Sequence, residues 1–197
     1  LLIKSLKEQG HIEEALKATD EARARCKPNL ELLLLSYEVS LAAGNLTSSL
    51  DNLSIALAHE PKNSFILRKL VHVTKSMKRL TDAINYQERL IKTISGDQAY
   101  QIEQINLAQL ELEELLSHNF NLHEKKEKLG DLLRKHKNFA PALCALAHCY
   151  LPMQLLSNAP AEQEKEPEVQ TKDLEDGFRL LTQAFRHDPQ PKYLEEA

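Results

Sequence analysis

The sequence predicts an all-α protein assembled from repeated antiparallel helix hairpins, and two observations carry that expectation. Only five Gly, eight Pro and 5% aromatic residues accompany abundant Leu, Ala, Glu and Lys, which suits helices far better than a turn-rich sheet sandwich. A fixed period is also present: Gly44 follows Gly10 by 34 residues, and Ala56 follows Ala22 by the same interval.

Five units follow along the chain. The first, about 1–29, holds Gly10-His11-Ile12-Glu13-Glu14-Ala15, then Ala22 and Pro28. Gly10 suits a tight turn, the alanines let helices approach closely, and Pro28 ends the second helix. The second, about 30–63, repeats this with Gly44 and Ala56 and closes on Ala56-Leu57-Ala58-His59-Glu60-Pro61-Lys62-Asn63. In the third, about 64–97, Ala83 and Leu90 take the packing positions and Lys78 stands where the turn glycine is expected.

The fourth unit, about 98–139, has a first helix from Gln98 to Leu116, roughly six residues longer than the period allows, and a turn at Ser117-His118-Asn119-Phe120. Its second helix carries Gly130 at the expected close-packing position. The fifth, about 140–190, opens with Leu143, Leu146, Ala147 and Tyr150 and resumes in the segment from Gly177 to Pro189, about 18 residues late. An insertion over about 152–172 is therefore expected. With Pro152, Pro160, Pro167, Glu162, Glu164, Glu166 and Glu168, it is expected to be disordered and a tolerated loop. Tyr193 to Ala197 reads as the start of another first helix, and with no initiator Met the chain is expected to be a piece of a longer protein.

A turn Gly, a small residue in the second helix and a closing Pro at a 34-residue spacing resemble the tetratricopeptide repeat (TPR) superfamily. The resemblance covers nearly the whole chain, strongly at 10–63 and 140–189 and weakly at 98–130. It departs at Tyr37, where the family prefers a very small residue, at Ser40, where it prefers an aromatic, and at Ser49, where it prefers Ala. It implies a right-handed α-solenoid of about five repeats whose concave face, lined by first helices, holds a peptide or helix of a protein partner. A generic helical-hairpin solenoid is the structural alternative.

Composition narrows the function. With 197 residues and 42% hydrophobic content the chain can bury a core, and its formal charge of −4 does not suit broad neutralisation of phosphates. Nucleic acid is not the expected partner. No apolar run, Leu32 to Leu35 included, approaches the roughly 20 residues of a membrane-spanning helix. Cys26, Cys144 and Cys149 are odd in number and lack ligand spacing, which suggests a reducing compartment, cytoplasmic or nuclear.

The candidate partner-binding residues lie in the third unit. Arg68, His72 and Lys75 fall at i, i+4 and i+7 on one helix face, with Phe65 one turn earlier and Lys69 beside them. The stretch from Ser64 to Thr81 also holds Lys78 and Arg79 and no acidic residue, so a partner with an acidic segment would suit it, although such a run is more often a solvated face. Lys4 and Lys7 are candidates to extend the strip. The carboxylate grip of some family members is not reproduced: Leu34, Leu35 and Glu38 stand at its positions in the second unit, and Phe65 and Lys69 in the third.

No catalytic residues, cofactor or metal are expected. Cys144 and His148, at i and i+4, read as packing residues together with Cys149, and Glu111, Glu113 and Glu114 read as a solvated face. There is no phosphate-cradling Gly loop, nucleophile elbow or His-Glu-x-x-His motif. A scaffold or adaptor segment of a multi-subunit assembly is the leading expectation. An RNA-associated helical repeat and a regulatory domain of a longer enzyme are the alternatives.

Overall fold

A computed structural model describes residues 2–25, 29–151 and 171–188. Cys26, Pro28, Pro189, the segment 193–197 and the expected insertion up to residue 170 lie outside the described residues. Residues 171 and 172, expected to close the insertion, belong instead to a helix. The described residues form ten helices and no strand: α1 (Leu2–Glu8), α2 (Ile12–Arg25), α3 (Leu30–Ala42), α4 (Leu46–His59), α5 (Ser64–Ser76), α6 (Leu80–Ile91), α7 (Asp97–Ser117), α8 (Leu122–Lys135), α9 (Ala140–His148) and α10 (Thr171–His187). The chain is an α-solenoid of antiparallel hairpins, and it divides into two compact units, 1–107 and 108–197.

In the first unit the hairpins are α1/α2, α3/α4 and α5/α6. Their turns share one backbone solution. Gly10, Gly44 and Lys78 all adopt the left-handed conformation, with φ of 81°, 73° and 59°. At each, the next residue donates its N–H five positions back, His11 to Leu6, Asn45 to Ser40 and Arg79 to Thr74, all at 2.9 Å. These bonds satisfy carbonyls that a helix end leaves unpaired, and the left-handed residue reverses the chain. Starts are as regular: Asn29, Asn45 and Asn63 accept N–H bonds of the first turn in α3, α4 and α5.

The core of this unit runs through Leu33, Leu53, Leu57, Ile66, Leu67, Leu70, Val73 and Leu90, so α4 is packed against both α3 and α5. Ala15, Ala56 and Ala83 are fully buried, as close-packing residues should be, whereas Ala22 is only half-buried. The departures from the family pattern are absorbed by hydroxyl pairing. Ser40 Oγ and Ser48 Oγ lie 3.2 Å apart, and Ser49 Oγ donates to Asn45 O at 2.9 Å and reaches Tyr37 O at 3.5 Å, which ties α4 to α3.

In the second unit, the end of α7 packs through Leu112 on Leu129 and Leu132 of α8 and on Ala142 and Leu146 of α9. Asn121 caps α8 in a reciprocal box with Glu124. The turn that a strict period would put near residue 112 is displaced, because Leu112 is buried inside the long α7. Gly130 does not occupy a close-packing position: a Cβ there would meet nothing within 4 Å. Gly177 does, since its added Cβ would lie 2.7 Å from Leu151 Cγ. The α9/α10 seam closes over Leu143, Cys144 and Ala184.

Candidate protein-binding face

Helix α5 divides cleanly. Ile66, Leu67, Leu70, Val73 and Thr74 are buried, while Phe65, Arg68, His72 and Lys75 are exposed. The division follows from the 3.6-residue period, which puts the apolar stripe against α4 and α6 and leaves the polar stripe outside. Phe65 and Lys69 come together, with Lys69 Nζ 5.1 Å from the ring centroid, a cation over an aromatic face.

Arg68 lies on the stripe that the sequence suggested and is paired there. Its Nε donates to Glu103 Oε1 of α7 at 3.0 Å, and its Nη2 lies 3.0 Å from the same oxygen. Glu103 is buried and also accepts from Gln87 Nε2 of α6 at 2.8 Å and from Asn106 Nδ2 at 3.0 Å, while Gln87 Nε2 lies 2.9 Å from the Glu103 carbonyl. Burial pushes this carboxyl up, but the bonds from Gln87, Asn106 and Arg68, with the Arg68 charge, outweigh it and hold the group below the ordinary carboxylate range. Arg68 thus joins α5 to α7 instead of standing as an open cation.

Lys7 behaves likewise, pairing with Glu38 of α3. Arg68 and Lys7 thus each have an acid of a neighbouring first helix as a partner. Phe65, His72 and Lys75 are exposed on α5, and Lys69 is half-buried beside them. Glu103 was not foreseen, although it carried a signal: it stands one 34-residue period after Lys69, with the opposite charge.

A cavity of about 400 Å³ is lined by Glu111, Leu115, His118, Phe120, Lys128 and Lys135, among others. His118 stacks on Phe120 with centroids 5.4 Å apart, and Lys128 Nζ sits 4.9 Å from the Phe120 centroid. Glu111 is not part of a solvated face, as its carboxylate accepts from Lys135 Nζ at 2.8 Å and lies 2.9 Å from His136 Nε2, linking α7 to α8. Among the described residues no group of three or more His, Cys, Asp or Glu side chains is placed to hold a metal. Cys144 and Cys149 are buried, and burial, aided by the Asp188 charge, pushes the Cys144 thiol up to about 11. No described helix is long and apolar enough to cross a membrane.

No family model and no curated protein matches the sequence. Solved structures do match the fold. A crystal structure of MamA covers 96% of this chain and 95% of its own at 12% identity, with a TM-score of 0.53. The crystal structure of YrrB, described as a TPR protein with an unusual peptide-binding site, covers 98% of this chain and 86% of its own at 13% identity, also with a TM-score of 0.53. These similarities place the chain's fold with the tetratricopeptide-type helical repeats.

Proposed function

We propose that the chain is a protein-interaction scaffold without catalytic activity of its own. In this reading it receives a peptide or helix of a protein partner on the exposed face of its first helices, the face that is concave in tetratricopeptide arrays. The observation that carries the reading is the division of α5, whose outer stripe presents Phe65 and Lys69 as a cation–aromatic pair beside His72 and Lys75 while its inner stripe is fully committed to the core. An exposed aromatic next to positive charge supplies apolar area and long-range attraction together, the combination that suits a segment mixing acidic and apolar residues. The peptide-binding site named for YrrB is consistent with this use of the fold.

Arg68 has a different part in this proposal. Bound to Glu103, it ties α5 to α7 beside the proposed contacts. The partner contacts are assigned to Phe65, Lys69, His72 and Lys75.

The test is selection from a peptide display library on the folded chain, followed by titration of the enriched peptides against Phe65→Ala and against the double variant Lys69→Glu, Lys75→Glu. Enrichment of acidic, apolar-containing peptides whose affinity falls about tenfold in either variant and weakens with added salt is the expected result. Peptides that bind both variants as they bind the parent would remove the site from α5. Selective retention of single-stranded RNA at physiological salt would replace the proposal with a nucleic-acid function.

A further inference from the structure

The exposed stripe of α5 has a counterpart on α7 that carries no charge. In α5, Ile66, Leu70 and Val73 are buried, and Phe65 and Arg68 stand one place before and two places after the first of them. In α7, Glu103, Leu107 and Leu110 are buried at the same spacing, so Ile102 and Ile105 take the places of Phe65 and Arg68. Ile102 is 52% and Ile105 60% exposed. Single exposed apolar residues are ordinary, whereas two isoleucines one turn apart on one helix face form a patch. From Gln98 to Leu107 the only charged residue is Glu103, which is buried and bound by Arg68, Gln87 and Asn106. The surface around the isoleucines, with Gln98 and Gln101 one turn before them, is therefore neutral.

This patch adjoins the face assigned above to a partner, because Arg68 of that face reaches Glu103, the residue next to Ile102 in sequence, at 3.0 Å. On the other side of α5, one 34-residue period earlier, Glu31 and Glu38 of α3 take the places of Phe65 and His72. Both are exposed, Glu38 in its pair with Lys7. Leu33 and Tyr37 of α3 share a cluster with Ile66, Leu67 and Leu70 of α5. Three first helices are thus joined in the order α3, α5, α7, and their equivalent outer positions change in character from acidic to basic to neutral and apolar.

We propose that Ile102 and Ile105 are the apolar subsite of the partner-binding face and fix the order of the peptide segment it takes: apolar residues over α7, acidic residues over the cations of α5, basic residues over Glu31 of α3. The inference rests on the reading of α5 as a binding face and adds the order to it. Charge complementarity selects this occupant. An acidic residue carried past α5 onto α3 meets Glu31 and Glu38 and is repelled. A charged residue set on the two isoleucines loses water and gains no partner, because the one charge of that stretch, Glu103, is already bound. Apolar side chains cover Ile102 and Ile105 without that cost.

Fluorescein-labelled peptides of one composition and two block orders, titrated by anisotropy, provide the test. One set runs apolar, acidic, basic; the other runs acidic, apolar, basic; each is made in both chain directions. The expected result is that a peptide of the first order binds about tenfold tighter than either peptide of the second, and that Ile102→Ser, Ile105→Ser removes this advantage. Both isoleucines are more than half exposed, so serine leaves the core untouched, and circular dichroism checks that the helices persist. Equal binding of the two orders, no binding of the first order, or an advantage that survives the double substitution overturns the inference. The variant Lys69→Glu, Lys75→Glu separates this from the reading beneath it. Binding weakened by that variant but not by the serines removes the α7 subsite alone, whereas binding that ignores both variants removes the α5 face as well.

Discussion

Arg68 and Glu103, 35 positions apart in sequence, meet at 3.0 Å and bind the first helix of the third hairpin to α7. The pair is asymmetric: Arg68 keeps half its side chain in water, whereas Glu103 is buried and also held by Gln87 and Asn106. Losing Glu103 therefore costs more than losing Arg68, since it leaves the buried Gln87 amide short of an acceptor. Glu103→Ala should destabilise the chain by about 2 kcal/mol and Arg68→Ala by less than about 1 kcal/mol, measured by urea unfolding.

The same carboxylate makes a pH prediction. Its folded value lies below its ordinary 4.5, so its contribution is complete above that value and is lost as pH falls through the lower folded value. The stability difference between the parent and Glu103→Gln should be constant from neutrality down to about pH 5 and shrink below it. A difference that stays constant to the acid limit would show that Glu103 does not titrate as a held carboxylate.

Lys78 holds a conformation that glycine holds at the two equivalent turns. A side chain in the left-handed region costs about 1 kcal/mol, so Lys78→Gly should stabilise by about that amount. Gly44→Ala should destabilise to a similar extent through the backbone alone, because its new Cβ meets nothing within 4 Å. Thermal unfolding of the two variants checks both signs.

Two helical glycines should respond in opposite ways. Gly177→Ala drives a methyl against Leu151 and should cost about 1–3 kcal/mol. Gly130→Ala adds a methyl in open space within α8 and should gain about 0.5–1 kcal/mol. Chemical denaturation midpoints compared at equal slope separate them.

Cys144 and Cys149 are both buried, and burial pushes both thiols up, Cys144 to about 11. Alkylation of these two cysteines at neutral pH should be far slower than that of a free thiol and should rise to the free rate in denaturant. Peptide mass spectrometry after timed quenching resolves each site.

The hairpins were legible because their signals are local. A turn that needs a left-handed residue advertises itself with Gly10 and Gly44, and the period then locates Lys78 even though its side chain hides the role. What stayed hidden depends on how one helix is rotated against the next. Gly130 and Gly177 are the same letter in similar helical contexts, yet only Gly177 faces another chain segment. On the candidate face, the charge of Arg68 was visible but its commitment was not, because Glu103 lies on a different helix. Glu111 was misjudged for the same reason, its partners Lys135 and His136 coming from the far end of α8.

The caps at Asn29 and Asn63 perform the same task one period apart, and the turns at Gly10, Gly44 and Lys78 close with the same backbone bond. The interval 30–63 is therefore an exchangeable cassette. Excising it joins Asn29 directly to Ser64, so that α5 inherits an asparagine cap and α2 inherits α5 as its neighbour in place of α3. A chain shortened by this one hairpin is expected to keep its remaining caps and turns.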